Sequence, residues 1–317
     1  MPKIDPKLYI DEFVGITNRF ETLPLAFALQ KAHGHSITLN WHELDSFSVN
    51  GTQTGNIGFW QKLGAERVRD CDAQKFNDLK GRNLVLRSLD GPSDLLDSIY
   101  LEVARKIRLK PHLSAAIKAS FTPYLKRSMV GVHVRHGDYH LENPDLYVVK
   151  GVEWPAIPVW WYEKVMANIV AKQHDVCFLL SSTGDPNSYP TLRKNFDVFT
   201  VDAPSPYAYK GTDHQSAVNP VADLFALACT PVMLATPISG YSHWAANVLG
   251  AATTCIVPLE GATADNVLCG RVDLYGKRLP LWRNAGREGS DTQMLDADLS
   301  SIDFSKPAQL DWLDFKA

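Results

Sequence analysis

The 317-residue sequence has no apolar run approaching the length of a membrane span, and its first residues, Met-Pro-Lys-Ile-Asp-Pro-Lys, lack the apolar core of a secretory signal. Both absences point to a complete, cytoplasmic protein with no integral membrane segment. Charge of one sign is also missing: Lys plus Arg number 32 against 35 Asp plus Glu, a net charge of -3. Binding nucleic acid or a membrane surface through bulk positive charge is therefore excluded, and any anionic ligand must be met by a local constellation. Cysteine is sparse. Cys71, Cys177, Cys229, Cys255 and Cys269 are odd in number, show no Cys-x-x-Cys spacing and sit mostly in apolar runs, as buried free thiols of a reducing compartment do. Three motifs are absent as well: Gly-x-x-x-x-Gly-Lys, Gly-x-Gly-x-x-Gly and Gly-x-Ser-x-Gly. A P-loop protein, a standard dinucleotide reductase and a hydrolase with a nucleophile elbow are set aside on that ground.

What is present is an alternation of strands and helices. At the amino end, residues 8–13 read as a weak strand. Apolar residues from Phe20 to Ala32 then recur at helical spacing, with Thr17 or Asn18 as cap and Gly34 as stop, and residues 36–41 read as a strand. Residues 42–80, with four glycines among Asn and Thr, read as loops and short elements. A strand at 83–89 and helices at 93–107 and 113–124 complete a first domain, residues 1–127. From Val130 the pattern is regular: strands at 130–135, 175–182, 198–201, 231–235 and 255–259, with helices at 160–171, 189–195, 220–228 and 241–249. Such alternation fits a doubly wound parallel sheet over a second domain, residues 128–317. No Ser- or Gly-rich linker separates the halves, and the aperiodic tail is expected to pack back on the first domain.

The chemistry concentrates in Val130 to His140, which reads Val-Gly-Val-His-Val-Arg-His-Gly-Asp-Tyr-His. Arginine at a strand end is, alone, more often an ion-pair partner than a ligand. His133, two residues before Arg135, projects from the same face, and two polar groups on one face of a buried strand need something to satisfy them. A nucleotide diphosphate would do so, with Arg135 forking to phosphate oxygens. His136, Asp138 and His140 leave open a divalent-metal alternative of the hydrolase type. Thr183, in Ser-Ser-Thr-Gly-Asp-Pro, ends a buried strand. Asp223, in the first turn of a helix opened by Asn219-Pro220, either pairs with the helix dipole or accepts the N1 and N2 protons of a guanine. The run Thr236-Pro-Ile-Ser239-Gly240-Tyr241-Ser242 joins a strand to a helix start, where backbone N–H groups can meet phosphate.

Taken together, these motifs resemble the GDP-fucose-dependent fucosyltransferases of GT-B fold, which comprise α-1,2, α-1,6 and protein O-fucosyl branches. His133-Val-Arg135-His-Gly-Asp138-Tyr139 is similar to that family's His-x-Arg-x-Gly-Asp-Tyr signature in its α-1,2 form. Ser239-Gly-Tyr-Ser-His-Trp-Ala is similar to Ser-Ser-Phe-Ser-Trp-Trp-Gly, Gly15-Ile-Thr-Asn18-Arg19 to the Gly-Leu-Gly-Asn-Arg opening, and Asp223-Leu to the stretch that contacts the base. The resemblance implies two Rossmann-like α/β domains facing a cleft. It further implies inverting, metal-independent transfer of fucose from GDP-fucose, the donor substrate, to a glycan hydroxyl, with no cofactor. Arg135 would hold and stabilise the leaving β-phosphate, His133 and Asp223 would recognise guanine, and Thr183, Ser239, Gly240, Tyr241 and Ser242 would line the nucleotide-sugar site. Gly15, Asn18 and Arg19 would face the acceptor, with Asn18 and Asp138 joining Arg135 in catalysis. For the general base, Asp138, His140, Glu21 and Glu43 remain open. A nucleotide-binding protein or nucleotide-sugar hydrolase sharing the phosphate site is the rival reading. For a stacking face toward a sugar ring the candidates are Trp41, Trp60, Trp160 and Trp161, against core packing.

Overall fold

The structure, a computed structural model, describes residues 5–89, 91–135, 147–149, 152–154, 157–182, 186–205, 218–236, 239–259, 265–278, 294–296 and 298–315. The chain divides into two compact units, the first ending at Lys110 and the second running from Pro111 to Phe315. The helix at 111–121 thus belongs with the second unit, whereas the expected boundary lay at 127/128.

In order, the first unit comprises β1 (Lys7–Asp11), α1 (Ile16–Phe20), α2 (Leu23–His33), β2 (Ser36–Asn40), β3 (Phe47–Val49), β4 (Gln53–Thr54), α3 (Phe59–Lys62), β5 (Glu66–Val68), α4 (Ala73–Asp78), β6 (Leu84–Leu86), α5 (Ser93–Ala104) and β7 (Ile107–Leu109). Five strands form a parallel sheet in the order β4-β2-β1-β6-β5. The helix expected from Phe20 to Ala32 is two helices. Pro24 has no N–H, and its ring would meet the Phe20 carbonyl four residues back, so α1 stops at Phe20 and α2 starts afresh. Thr17 and Asn18 consequently lie inside α1 rather than capping a longer helix. Gly34 ends α2 at φ 76°, a left-handed conformation costly for other residues.

The second unit comprises α6 (Pro111–Phe121), β8 (Ser128–Val134), β9 (Tyr147–Val149), β10 (Val152–Trp154), α7 (Val159–Lys172), β11 (Val176–Ser182), α8 (Pro190–Asn195), β12 (Val198–Phe199), α9 (Pro220–Leu227), β13 (Val232–Leu234), α10 (Gly240–Trp244), β14 (Thr254–Pro258), β15 (Cys269–Val272) and β16 (Met294–Asp296). Its sheet runs β12-β11-β8-β13-β14-β15-β16, parallel through β14, with β15 and β16 added antiparallel at one edge. All seven residues of β8 are buried, which is why that stretch is apolar on both faces. One face, through Val130, Val132 and Val134, packs with Phe178, Leu180, Trp161, Tyr162, Val165 and Met166. Against the other face α9 approaches closely: a Cβ at Gly131 would stand 2.6 Å from Thr230 Oγ1 and 3.1 Å from Leu227 Cδ2. Asn219 caps α9, accepting from the N–H groups of Val221 and Ala222.

Asp314 of the tail pairs with Lys118 of α6, a helix inside the expected first domain (1–127) and within the second compact unit. Met129 N–H donates to Lys306 O at 3.0 Å, Gln309 N–H donates to Cys229 O at 2.8 Å, and Trp312 stacks on Phe225, so 298–315 packs on the second unit. Among the described residues all five cysteines are buried and free, and no helix is long and apolar enough to cross a membrane.

Candidate functional site

In the second unit the chain leaves β8 for β11 and β12 on one side, then returns to β13 and β14 on the other. The gap between the carboxyl ends of β8 and β13 is a topological switch point, the place where open α/β sheets bind ligands. His133 and Arg135 leave β8 there, and Thr236 and Ser239 leave β13 on the way into α10.

His133 is buried against α10. Its Nδ1 lies 2.7 Å from Ser242 Oγ, and its ring stacks on Tyr241 with centroids 4.9 Å apart. Ser242 Oγ also accepts from Thr236 N–H at 3.3 Å. The pairing in which Ser242 donates to Nδ1 leaves the His133 proton on Nε2. Burial pushes the imidazole down to about 3, with the Arg135 charge adding to the effect, so His133 is neutral at physiological pH. The His133 carbonyl, the last before Val134 and Arg135, accepts from Tyr162 O–H at 3.1 Å and Thr236 O–H at 3.2 Å. Two hydroxyls from different elements thereby fix the backbone from which Arg135 departs.

Asp223 completes the cluster from α9. Ser181, which stands beside His133 in the β8–β11 register, donates to Asp223 Oδ2 at 2.6 Å. The other oxygen, Oδ1, is buried with no hydrogen-bond partner. Burial raises the carboxyl to about 7, against the lowering influence of Ser181. Tyr241, whose own hydroxyl is pushed far up by burial and by the Asp223 charge, donates to Pro220 O at 2.6 Å and so ties α10 to α9. Ser239 caps α10 by accepting from Ser242 N–H at 3.4 Å, and Gly240 is the helix's first residue. The structure therefore brings His133, Arg135, Asp223, Ser239, Gly240, Tyr241 and Ser242 together at one sheet end. A buried carboxylate oxygen without a donor suits a ligand that brings N–H groups.

The first unit has its own switch point, at β1 between β2 and β6. Asp11, the last residue of β1, accepts from Arg87 (Nε 3.2 Å, Nη2 3.0 Å) and from Lys62 Nζ at 3.2 Å. Burial pulls its carboxyl up, but the hydrogen bonds from Arg87 and Lys62 outweigh it and hold the pKa below the usual carboxylate range. Gly15 precedes α1, and Asn18 is half-buried within it. Arg19 is 1% exposed: one Nη2 spans both Glu43 oxygens at 2.7 and 2.9 Å, the guanidinium lies over Trp41, and Nε and Nη1 have no partner. Its side chain is thus an interior group of this unit. Glu43 is occupied by Arg19, and Glu21 accepts from Tyr100 O–H at 2.6 Å. Neither carboxylate stands unengaged for proton abstraction.

His136, Asp138, His140, Thr183, Gly184 and Asp185 lie outside the described residues, and with them the metal alternative and two of the general-base candidates. Sequence alone does not single out Tyr162, Ser181 and Thr236 as site residues. Ser181 and Thr236 carry the one available signal, hydroxyl residues where buried strands end; Tyr162 carries none, because its helix reads as ordinary core.

No family model matches the chain, and no curated protein matches it in sequence. Solved structures do. Arabidopsis thaliana FUT1, as an arginine-to-lysine variant in complex with GDP, superposes with a TM-score of 0.56 at 9% identity, over 94% of this chain and 80% of that one. The fucosyltransferase NodZ from Bradyrhizobium gives 0.49 at 14% identity, over 81% of this chain and 96% of that one. This chain has the fold of the FUT1 structure, and the expected α/β architecture of GT-B type, with a parallel sheet in each unit, holds.

Proposed function

We propose that this protein is a GDP-fucose-dependent fucosyltransferase that transfers the sugar to a glycan hydroxyl with inversion at the anomeric carbon and without a metal ion. The observation that carries the reading is the buried cluster of His133, Ser242, Tyr241, Ser181 and Asp223, with its unpartnered carboxylate oxygen, at the switch point of the second sheet. The motif order along the chain and the GDP held by the FUT1 structure of the same fold support it.

In this reading the guanine N1–H and N2–H groups donate to Asp223, and neutral His133 offers Nε2–H to the nucleotide. Arg135 meets the diphosphate, with Thr183, Ser239 and Gly240 adding hydrogen bonds to phosphate oxygens. As the glycosidic C–O bond lengthens, negative charge builds on the departing β-phosphate and positive charge on the sugar. A guanidinium carried on a backbone that Tyr162 and Thr236 fix at the His133 carbonyl stabilises that charge with less reorganisation than a freely moving group would need. The acceptor hydroxyl attacks from the opposite face while losing its proton to Asp138, and Asn18 orients the reacting groups from the acceptor side with Gly15. Arg19 serves that side from the interior, as the support of α1.

The test is GDP release from GDP-fucose in the presence of a chelator, with and without neutral oligosaccharides. Acceleration by one oligosaccharide, with inverted configuration in the product by NMR, is the expected result. Equal rates with and without acceptor would instead identify a nucleotide-sugar hydrolase.

A further inference from the structure

Among the described residues, three of the five exposed large hydrophobic side chains fall within five positions of the chain: Phe59 (70% exposed), Trp60 (80%) and Leu63 (62%). Trp60 is the only exposed tryptophan among the described side chains. Trp41, Trp161 and Trp244 are buried, and Trp160 and Trp312 are half-buried. Phe59 and Trp60 meet edge to face, ring centroids 5.5 Å apart at 77°. That contact leaves the indole surface open.

The helix that carries them is anchored. Gly58 N–H donates to Gln61 Oε1 at 2.6 Å at its start, and Ile57 just before it is buried. Lys62, between the exposed aromatics and Leu63, reaches Asp11 at the carboxyl end of β1, the switch point of the first sheet. Arg87, just beyond the carboxyl end of β6, shares that carboxylate. The aromatic pair is therefore fastened by its own helix to the end of the sheet where ligands bind, and α1 with Gly15 and Asn18 follows β1 at that same end. A pyranose is amphipathic in the matching sense. Its C–H face stacks on an aromatic ring, and its hydroxyl edge pairs with charged and amide groups such as those of Lys62, Asp11, Arg87 and Gln61.

We infer that Trp60, braced by Phe59, is the stacking platform for a sugar ring of the glycan acceptor. This assignment rests on the fucosyltransferase reading for the word acceptor, though not for the binding itself. Trp60 is a specificity-determining residue rather than a catalytic one, and Lys62 is a positioning residue that holds the platform on Asp11.

The direct experiment titrates cellotetraose, chitotetraose and lactose into the full-length chain, labelled with 5-fluorotryptophan and followed by fluorine NMR. One exposed-tryptophan resonance, missing in Trp60→Phe, should shift with at least one of these sugars. Trp60→Ala should bind that sugar at least about tenfold more weakly, and Trp60→Phe within a few-fold of the parent. The rise in melting temperature with GDP shows that each variant is folded. If the parent turns over, Trp60→Ala should raise the KM for the acceptor by a similar factor. Unchanged sugar affinity in Trp60→Ala, or no shift of that resonance with any of the three sugars, overturns the assignment. So does a Trp60→Ala effect confined to self-association by light scattering, or to binding of phospholipid vesicles. Sugar binding through Trp60 in a protein that never transfers fucose would sink the functional reading and leave the platform standing.

Discussion

Asp223→Asn separates stability from ligand binding. In the folded chain the carboxyl is raised by burial from 3.8 to about 7. Between those values the folded state holds a proton that the unfolded state has released, so stability falls as pH rises through that window. About three pKa units at roughly 1.4 kcal/mol each give a cost near 4 kcal/mol once the group is ionised. Asparagine cannot ionise. The variant should therefore be more stable than the parent by up to about 4 kcal/mol near pH 8, with the two converging near pH 4 in urea unfolding. GDP binding should move the other way. Losing a charge-assisted acceptor for two guanine donors costs about 1.5–3 kcal/mol, so affinity at pH 8 should drop roughly 10- to 150-fold. Below pH 7 the parent must give up the Asp223 proton to bind, so its affinity should fall about tenfold per pH unit. Guanosine, which has no phosphate to titrate, should show the same slope, and Asp223→Asn should show none. The groups facing the carboxyl, Ser181 and Tyr241, do not titrate in this range. Calorimetry of guanosine between pH 5 and 8 is the assay. A flat profile in the parent, or the same slope in the variant, would refute a carboxylate that receives the base.

His133 should act with opposite sign. Its pKa falls from 6.5 to about 3 on folding, so its stabilising contribution, present above pH 6.5, is lost as pH falls toward 3; His133→Gln should show a shallower acid loss in urea midpoints at pH 7.5 and 4.5. Gly131→Ala places a methyl 2.6 Å from Thr230 Oγ1 and should cost about 1–3 kcal/mol, read as a lower urea midpoint with unchanged slope. Glu43→Ala strands the buried Arg19 charge and should cost about 3–5 kcal/mol, while Arg19→Met, which removes the charge and its two unpartnered nitrogens, should be close to neutral. Equal losses for those last two would mean that the pair, rather than the stranded charge, is what matters.

Much of the second unit can be read from local pattern because its strands are buried on both faces. Val130 to Val134 and Val176 to Leu180 are apolar for that reason, and Asn219-Pro220 announces α9 by cap and first-turn chemistry. The polar interruption in β8, His133, is informative because an apolar strand has no other use for it, whereas Ser181 reads as an ordinary hydroxyl where β11 ends. The first unit is less legible in its sequence. Residues 42–80 form strands of two or three residues and helices of four to six, too short to carry a period, and tertiary pairing sets them. Pro24 splits the first helix, a local effect hidden beneath an unbroken apolar stripe. A motif match puts Arg19 beside Asn18 but carries no information about burial, and here the guanidinium points inward to Glu43. Tyr162 acts on the His133 carbonyl from a helix whose periodicity describes only core. The tail lacks a period because its antiparallel edge strands and turns owe their form to the sheet edge and to Phe225, Cys229 and Met129.

In the proposed transfer Arg135 is the group that receives the diphosphate. Calorimetric titration of GDP into the parent and into Arg135→Ala, side by side in chelator, tests it most directly. Loss of a charge-assisted, two-pronged contact to phosphate predicts GDP binding weaker by a factor on the order of 100 in the variant, with Gly131 to Val134 still folded by hydrogen exchange. GDP binding of equal strength in the two proteins would rule out that role for Arg135.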